Sequence, residues 1–139
     1  MKKLAITAVV FLFVGWLFGR QSAQEGYVIE HEKDIVMEQE GPHDGGGKTK
    51  VSNFFIKVPG FKKAFRKRTL LPGSAIGYHL QKEEEIYYIL SGSGEMNMNG
   101  KTFTVTAGDA ILTRPGNSHG LKPLGNENLS LIINYNLPG

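Results

Sequence analysis

The chain has 139 residues, about the length of one domain, and contains no cysteine. The absence of cysteine excludes a disulfide scaffold, a thiolate zinc site and a cysteine nucleophile. The 16 Lys and Arg residues exceed the 13 Asp and Glu residues, and this net charge of +3 suggests a nucleic-acid or membrane partner until the charges are located.

The N-terminus has the form of a secretory signal peptide. A basic start at residues 1–3 precedes an uncharged, mostly apolar stretch at 4–19 that is short for a membrane-spanning helix. Ala23 is the small residue placed for cleavage, but Gln21 stands where a second small residue is preferred. We therefore expect residues 1–23 to direct export to the periplasm or the exterior, with an uncleaved membrane anchor over 4–19 as the alternative.

Removal of this segment changes what the net charge means. Residues 1–23 hold three basic side chains and no acidic one, so the rest of the chain carries 13 of each sign. They also hold Trp16, the only tryptophan. Because the part that folds is neutral, we expect no nucleic-acid partner.

The rest of the chain divides into two predicted parts. Residues 24–60 are expected to form N-terminal strands with a glycine-rich loop, and residues 61–139 a β-barrel core. The loop at 41–47 reads GPHDGGG, and it lacks the spacing of a phosphate-binding loop. His43 within it either folds over the barrel mouth as a further contact or is solvated, and we favour the solvated state.

An acidic segment is followed by a basic one. Residues 25–44 carry seven acids, and residues 48–68 carry eight basic residues and no acid. The basic residues alternate with apolar ones such as Phe54 and Phe65, which is typical of strands with one solvated face. We interpret the basic side chains as solvent-facing and able to pair with the acidic segment.

From Thr69 onward the pattern is that of short strands. Apolar, tyrosine-bearing runs occupy 76–81 and 86–90, and a last strand is predicted over 129–135. Asn-Gly at 99–100, flanked by alternating residues, predicts a tight hairpin. Short strands at near-regular spacing, without a helical period, predict a sandwich or small barrel.

Polar residues on these strands form a candidate site. His79 and Gln81 are two residues apart, so they share a strand face. After a bend, Glu85 can return to that side with Tyr87 beside it, and His119 follows a tight turn far along the chain. Two imidazoles, a carboxylate and an amide suit a divalent metal with open coordination positions. A buried glutamate without a cation would carry a large desolvation penalty. Tyr78, Leu80 and Tyr88 alternate away from the face of the candidate ligands, and we interpret them as packing residues.

These residues also carry a family resemblance. The first cupin motif is matched in spacing by Gly73, His79, Gln81, Glu85 and Gly92, and the second is resembled by Gly108, Pro115, Gly116 and His119. The resemblance implies an all-β double-stranded β-helix, the jelly-roll or cupin-type barrel. It further implies one metal ion held by His79, Glu85 and His119, with position 81 as the fourth ligand.

The fourth position departs from the family pattern, because Gln81 stands where the family usually has histidine. Glutamine is a weaker donor than imidazole, which lowers affinity and favours Mn²⁺ or Fe²⁺, with Zn²⁺ or Ni²⁺ as alternatives. Gln81 either binds the metal or hydrogen-bonds a metal-bound water or ligand. A metal-free binder with hydrogen-bonded histidines is the other interpretation of the same residues.

We expect a metal-dependent enzyme that acts on a small carbonyl, carboxylate or sugar-like substrate by dioxygenase, isomerase or lyase chemistry. Tyr87 is assigned as a general acid or hydrogen-bond donor, and Arg114 as the group that holds a substrate carboxylate. The alternatives are a non-catalytic binding module for a small molecule or sugar, and a structural protein in which the metal stabilises the fold. A homodimer is expected, with membrane contact only through an uncleaved N-terminal segment.

Overall fold

The computed structural model describes residues 26–138, which form two antiparallel β-sheets. The predicted signal peptide at 1–23, with Trp16, lies outside this range. No helix within it is long and apolar enough to cross a membrane. The elements are α1 (Glu32–Ile35), β1 (Met37–Glu40), β2 (Lys48–Phe54), β3 (Lys63–Leu70), β4 (Ile76–Leu80), β5 (Glu85–Ser91), β6 (Ser93–Met98), β7 (Lys101–Thr106), β8 (Ala110–Thr113), β9 (Ser118–Pro123) and β10 (Leu129–Asn136).

The two sheets have the strand orders of a jelly roll. The six-stranded sheet runs β1-β2-β3-β10-β5-β8, and the four-stranded sheet runs β4-β9-β6-β7. Strands far apart in sequence are neighbours, since β10 lies between β3 and β5 and β9 lies between β4 and β6. The chain therefore crosses repeatedly between the sheets, and the predicted all-β, double-stranded β-helix is confirmed.

Inward-facing side chains of both sheets meet in one apolar core. Alternation along β5 buries every second residue from Glu85 to Ile89. Burial of apolar side chains is the main favourable term in folding a domain of this size. The core cluster consists of Leu70, Ile76, Tyr87, Ile89, Met96, Val105, Leu121, Leu129, Leu131 and Ile133.

The turn between β6 and β7 is the hairpin predicted from Asn-Gly. Asn99 and Gly100 have φ values of 52° and 82°, both in the left-handed region. Met98 pairs with Lys101 across this two-residue turn. Left-handed backbone at both central positions matches the right-handed twist of the strands, which is why Asn-Gly is preferred there.

The N-terminal strands extend the six-stranded sheet. β2 pairs with β3 from Thr49 opposite Leu70 to Phe54 opposite Phe65, and β1 continues the sheet beyond β2. Residues assigned by sequence to the 24–60 part thus share one sheet with the barrel core.

The acidic and basic segments contact each other, but not every basic side chain faces solvent. Lys67 forms a 2.9 Å ion pair with Glu32 of α1. The solvent-facing interpretation is wrong for Arg68, which is 3% exposed. Arg68 lies on the same strand face as Ala64 and Leu70, both buried, so strand alternation directs it inward.

The outer faces of both sheets expose apolar side chains. Tyr78, Leu80 and Tyr88 alternate away from the barrel interior as predicted, but they are 53%, 56% and 44% exposed. Their expected role as packing residues is therefore wrong within the described chain. Ile86 and Leu112 are neighbours on the same outer face as Tyr88 and are also exposed.

Candidate metal centre

Strand pairing brings three predicted metal ligands together. His79 on β4 lies directly opposite His119 on β9, and their ring centroids are 4.7 Å apart. Glu85 opens β5 in the other sheet and points inward. One candidate ligand atom from each residue lies within 4.8 Å of the others. Two facing sheets thus place two imidazoles and one carboxylate around a common point.

Hydrogen bonds orient both imidazoles. Nδ1 of His79 donates to the carbonyl oxygen of Gly77 at 2.8 Å, which leaves Nε2 with a free lone pair. Nδ1 of His119 lies 2.8 Å from the hydroxyl oxygen of Thr113, and Nε2 lies 3.2 Å from Oε1 of Glu85. Anchoring of one ring nitrogen so that the other faces a metal is the usual arrangement of metal-binding histidines.

Oε1 of the Glu85 carboxylate is buried, and no residue within 26–138 donates a hydrogen bond to it. The residue is 6% exposed, and Oε1 has no hydrogen-bond partner because its contact with His119 lacks hydrogen-bond geometry. A buried carboxylate in this state is costly unless a cation compensates it. Two nitrogens and one carboxylate oxygen with an unsatisfied charge fit a divalent metal ion.

Gln81 lies at the same cavity. It is 6% exposed and, together with His79 and Glu85, lines a cavity of about 360 Å³. Its backbone N–H donates to the carbonyl of Asn117 at 2.8 Å, and its own carbonyl accepts from Gly116 at 2.9 Å. These bonds fix the end of β4 against the turn that precedes His119. A bond from the Gln81 amide to a metal stays a prediction.

Tyr87 contacts the cluster from the core side. It is 2% exposed, its ring stacks on His119 with centroids 5.0 Å apart, and its hydroxyl lies 3.5 Å from Nε2 of His119. Burial, followed by the charge of Glu85, raises the pKa of Tyr87 well above its usual value of 10. Tyr87 therefore presents a neutral hydroxyl beside the candidate ligands.

Arg114 is not brought to the cluster. It is exposed in the turn between β8 and β9, where its carbonyl accepts a hydrogen bond from the Asn117 side chain. It is absent from the lining of the 360 Å³ cavity. The position of Arg114 gives no support to its predicted role in holding a substrate carboxylate.

The glycine-rich loop places His43 over the barrel mouth. The ring of His43 is exposed but stacks on His79, with centroids 3.5 Å apart and planes within 8°. Gly77 donates its N–H to Pro42 at 2.9 Å, and a Cβ at Gly77 would overlap the carbonyl oxygen of His43. Burial, followed by His79, lowers the pKa of His43, which favours a neutral ring. The histidine expected to be solvated is thus in contact with the candidate site.

Two arginines beside the site were not predicted from sequence. Arg66 and Arg68 of β3 line a second, small cavity together with Glu85 and Tyr87. Burial, followed by the charge of Arg66, lowers the pKa of Arg68 from its usual value, but a guanidinium stays charged at neutral pH. Strand alternation could have indicated them, because both arginines are an even number of residues from the apolar Leu70 and therefore share its strand face.

Comparisons with known proteins agree on one family. A family model described as a cupin domain matches residues 67–135. The oxalate-binding protein of Thermotoga maritima is 37% identical over 91 residues, which cover 63% of this chain and 75% of that protein.

Solved structures give the same result. The crystal structure of a predicted oxalate decarboxylase from Thermotoga maritima has a TM-score of 0.72 at 30% identity and covers 80% of this chain and 100% of its own. A polyketide cyclase from Streptomyces resistomycificus has a TM-score of 0.69 at 19% identity, with 81% of this chain and 80% of its own covered. The second similarity concerns the fold alone.

Proposed function

Because this chain belongs to the cupin superfamily and places two imidazoles and a carboxylate at one point, we propose that it holds a divalent metal and binds a small carboxylate ligand there. The observation that carries this proposal is the buried Oε1 of Glu85, which lacks a hydrogen-bond donor beside two oriented histidines. A cation supplies the compensation that this carboxylate lacks.

His79, Glu85 and His119 would hold the ion, with Gln81 as the fourth ligand. One neutral oxygen or nitrogen donor in place of a third imidazole favours Mn²⁺ or Fe²⁺. Such an ion supplies Lewis acidity to a bound carboxylate. Tyr87 offers a neutral hydroxyl as a donor to the bound ligand, and His43 restricts the cavity mouth beside His79.

Oxalate is the first ligand to test. Two similar proteins from Thermotoga maritima are named as an oxalate-binding protein and a predicted oxalate decarboxylase. A cavity of about 360 Å³ beside the candidate ligands is large enough for a small dicarboxylate.

Metal analysis tests the metal centre. The full chain should contain about one metal ion per molecule, and Glu85→Gln should contain almost none. Glu84→Gln is the matched control, because Glu84 is the adjacent exposed carboxylate. Equal metal contents in the Glu85 and Glu84 variants would overturn the assignment.

Catalysis is the second candidate function, and the buried neutral Tyr87 hydroxyl beside His119 favours it. A metal-dependent enzyme of the dioxygenase, isomerase or lyase type would show oxygen consumption or turnover of a small carboxylate, for example CO₂ release from oxalate. Tyr87→Phe should then reduce turnover while metal content and oxalate affinity stay near wild type. Oxalate binding without turnover would refute catalysis and support a non-catalytic binding module instead.

Export and assembly complete the proposal. Removal of residues 1–23 on export would also remove Trp16, so the exported protein would lack tryptophan fluorescence, whereas a retained anchor would keep it.

The exposed outer-face residues Ile86, Tyr88 and Leu112 favour a homodimer through that face. Light scattering should then report a dimer for the wild type and a monomer for Leu112→Glu.

A further inference from the structure

Two arginine side chains inside the barrel lack an acidic partner. Nη1 of Arg68 donates to the hydroxyl of Thr49 at 2.7 Å, and Nη2 of Arg66 donates to the hydroxyl of Tyr135 at 2.7 Å. These acceptors are uncharged. Within residues 26–138, neither guanidinium has a carboxylate oxygen within 4.0 Å.

Both arginines also retain an unused donor. Nε of Arg66 and Nε of Arg68 are buried, and no atom of residues 26–138 accepts a hydrogen bond from either. A buried donor without an acceptor costs free energy, and the cost is larger for a charged group that cannot lose its proton. The exposure of Arg68 is 3%, so bulk water does not reduce this cost. A bound anion would supply the acceptor that these donors lack.

The two arginine side chains share a small cavity with Glu85 of the candidate metal centre. Arg66 and Arg68 line a cavity of about 50 Å³ whose other walls include Glu85, Tyr87 and Tyr135. Glu85 and Tyr135 also line the 360 Å³ cavity that contains His79 and Gln81. The larger cavity and the small cavity beside the arginines thus share wall residues.

The charges in this part of the barrel call for an anion. Arg66 and Arg68 contribute two positive charges, and among the described residues Glu85 is the only acidic side chain that lines the small cavity with them. A divalent cation beside Glu85 would add two further positive charges. The net excess would then be three positive charges. A dianionic ligand offsets two of them, whereas a neutral sugar leaves all three uncompensated in a region of low dielectric.

We propose that Arg66 and Arg68 form an anion subsite that binds one carboxylate of a small dicarboxylate while its other carboxylate faces the metal centre. This inference rests on the metal-dependent function proposed above and specifies its ligand class. It assigns to Arg66 and Arg68 the role that sequence had assigned to Arg114. The guanidinium fork suits planar carboxylates, so dicarboxylates such as oxalate and malonate are preferred over acetate.

The test is calorimetric titration of the Mn²⁺-loaded full chain with oxalate, malonate and acetate. The variants are Arg68→Met, which keeps the length and apolar stem, and the exposed control Arg114→Met. Oxalate and malonate should bind the wild type more tightly than acetate does. Arg68→Met should weaken oxalate binding about 10- to 100-fold and leave acetate binding nearly unchanged. Arg114→Met should bind all three ligands like the wild type.

Mn²⁺ affinity, measured first in each variant, separates this inference from the metal centre. If Arg68→Met keeps wild-type Mn²⁺ affinity and wild-type oxalate affinity, the anion subsite is refuted and the metal centre stands.

If the wild type binds no Mn²⁺, the metal function fails, and the subsite is then tested by thermal melting of the metal-free proteins. Excess oxalate should raise the melting temperature of the wild type more than that of Arg68→Met, and equal shifts would refute the subsite. Arg68→Lys provides a second variant that retains the buried charge and loses the planar fork, and it should bind oxalate with intermediate affinity.

Discussion

The side chains inside the barrel fall into two groups of opposite chemistry. One group is apolar and fully buried, with Leu131 opposite Ile89 across β10 and β5. The other is polar, and on the same two strands Tyr135 lies opposite Glu85. The same pair of strands therefore carries a hydrophobic core and a polar site in successive positions of one inward-facing row.

The two groups differ in how well they are satisfied. The apolar side chains gain stability from burial. The polar group instead leaves Oε1 of Glu85 and Nε of two arginines without partners. Unsatisfied polar atoms do not stabilise a fold, so the polar group is best explained by ligands that complete it. The contrast predicts that substitutions in the first group affect folding, and that those in the second affect binding.

The largest effect on stability is expected in the apolar group. Leu131→Ala should lower the free energy of unfolding by about 2–5 kcal/mol, because a fully buried leucine leaves a cavity. Urea denaturation of the metal-free protein measures this loss. In the same assay Glu85→Gln should not lower the free energy of unfolding, because it removes a buried charge whose Oε1 lacks a hydrogen-bond donor within the described chain. A loss as large as that of Leu131→Ala would show that Glu85 is structural.

Metal addition should stabilise the protein through the polar group alone. At a free metal concentration about 100-fold above Kd, the gain in unfolding free energy is about 2.7 kcal/mol. Thermal melts with and without Mn²⁺ should show the shift in the wild type and in Leu131→Ala, and Glu85→Gln should show none. A shift that persists in Glu85→Gln would place the ion elsewhere.

The fourth position should tune affinity by a smaller amount. Gln81→His supplies a third imidazole at the cavity and should raise metal affinity about tenfold, because imidazole is the better donor. Gln81→Leu should lower it. Competition with a chromogenic chelator measures both constants. Identical affinities for the three proteins would remove Gln81 from the ligand set.

The smallest effect is expected at Arg114. Because this side chain is exposed and lies outside the cavity lining, Arg114→Met should change the free energy of unfolding by no more than about 0.5 kcal/mol. Its oxalate affinity should equal that of the wild type. A marked loss of affinity would restore the role predicted from sequence.

Sequence alone predicted the barrel and the residues that converge in it. Strand alternation placed Glu85 and Tyr87 on one face, and motif spacing related His79 to His119 before their pairing was known. These predictions succeed because they depend on local period and on turns such as Asn99-Gly100.

The features that sequence does not predict depend on which face of each strand the rest of the protein covers. The alternation of basic and apolar residues over 48–68 predicts that Arg68 faces solvent, yet its side chain is buried. Leu80 was assigned to packing because it is apolar, yet nothing in the described chain covers it. Arg114 was placed at the site by its proximity to His119 in sequence, but the turn directs it outward. Residue type alone does not show which face of a strand is buried, because that depends on how the sheets pack.

The central claim is that His79, Glu85 and His119 hold a metal ion that receives a carboxylate ligand. Anomalous diffraction at the manganese edge, from crystals of the chain grown with Mn²⁺ and oxalate, tests it most directly. We expect one manganese peak between Nε2 of His79, Nε2 of His119 and the Glu85 carboxylate, with oxalate bound to it on the side of Arg68. A fully occupied manganese peak elsewhere in the structure, with none between these residues, would contradict this claim.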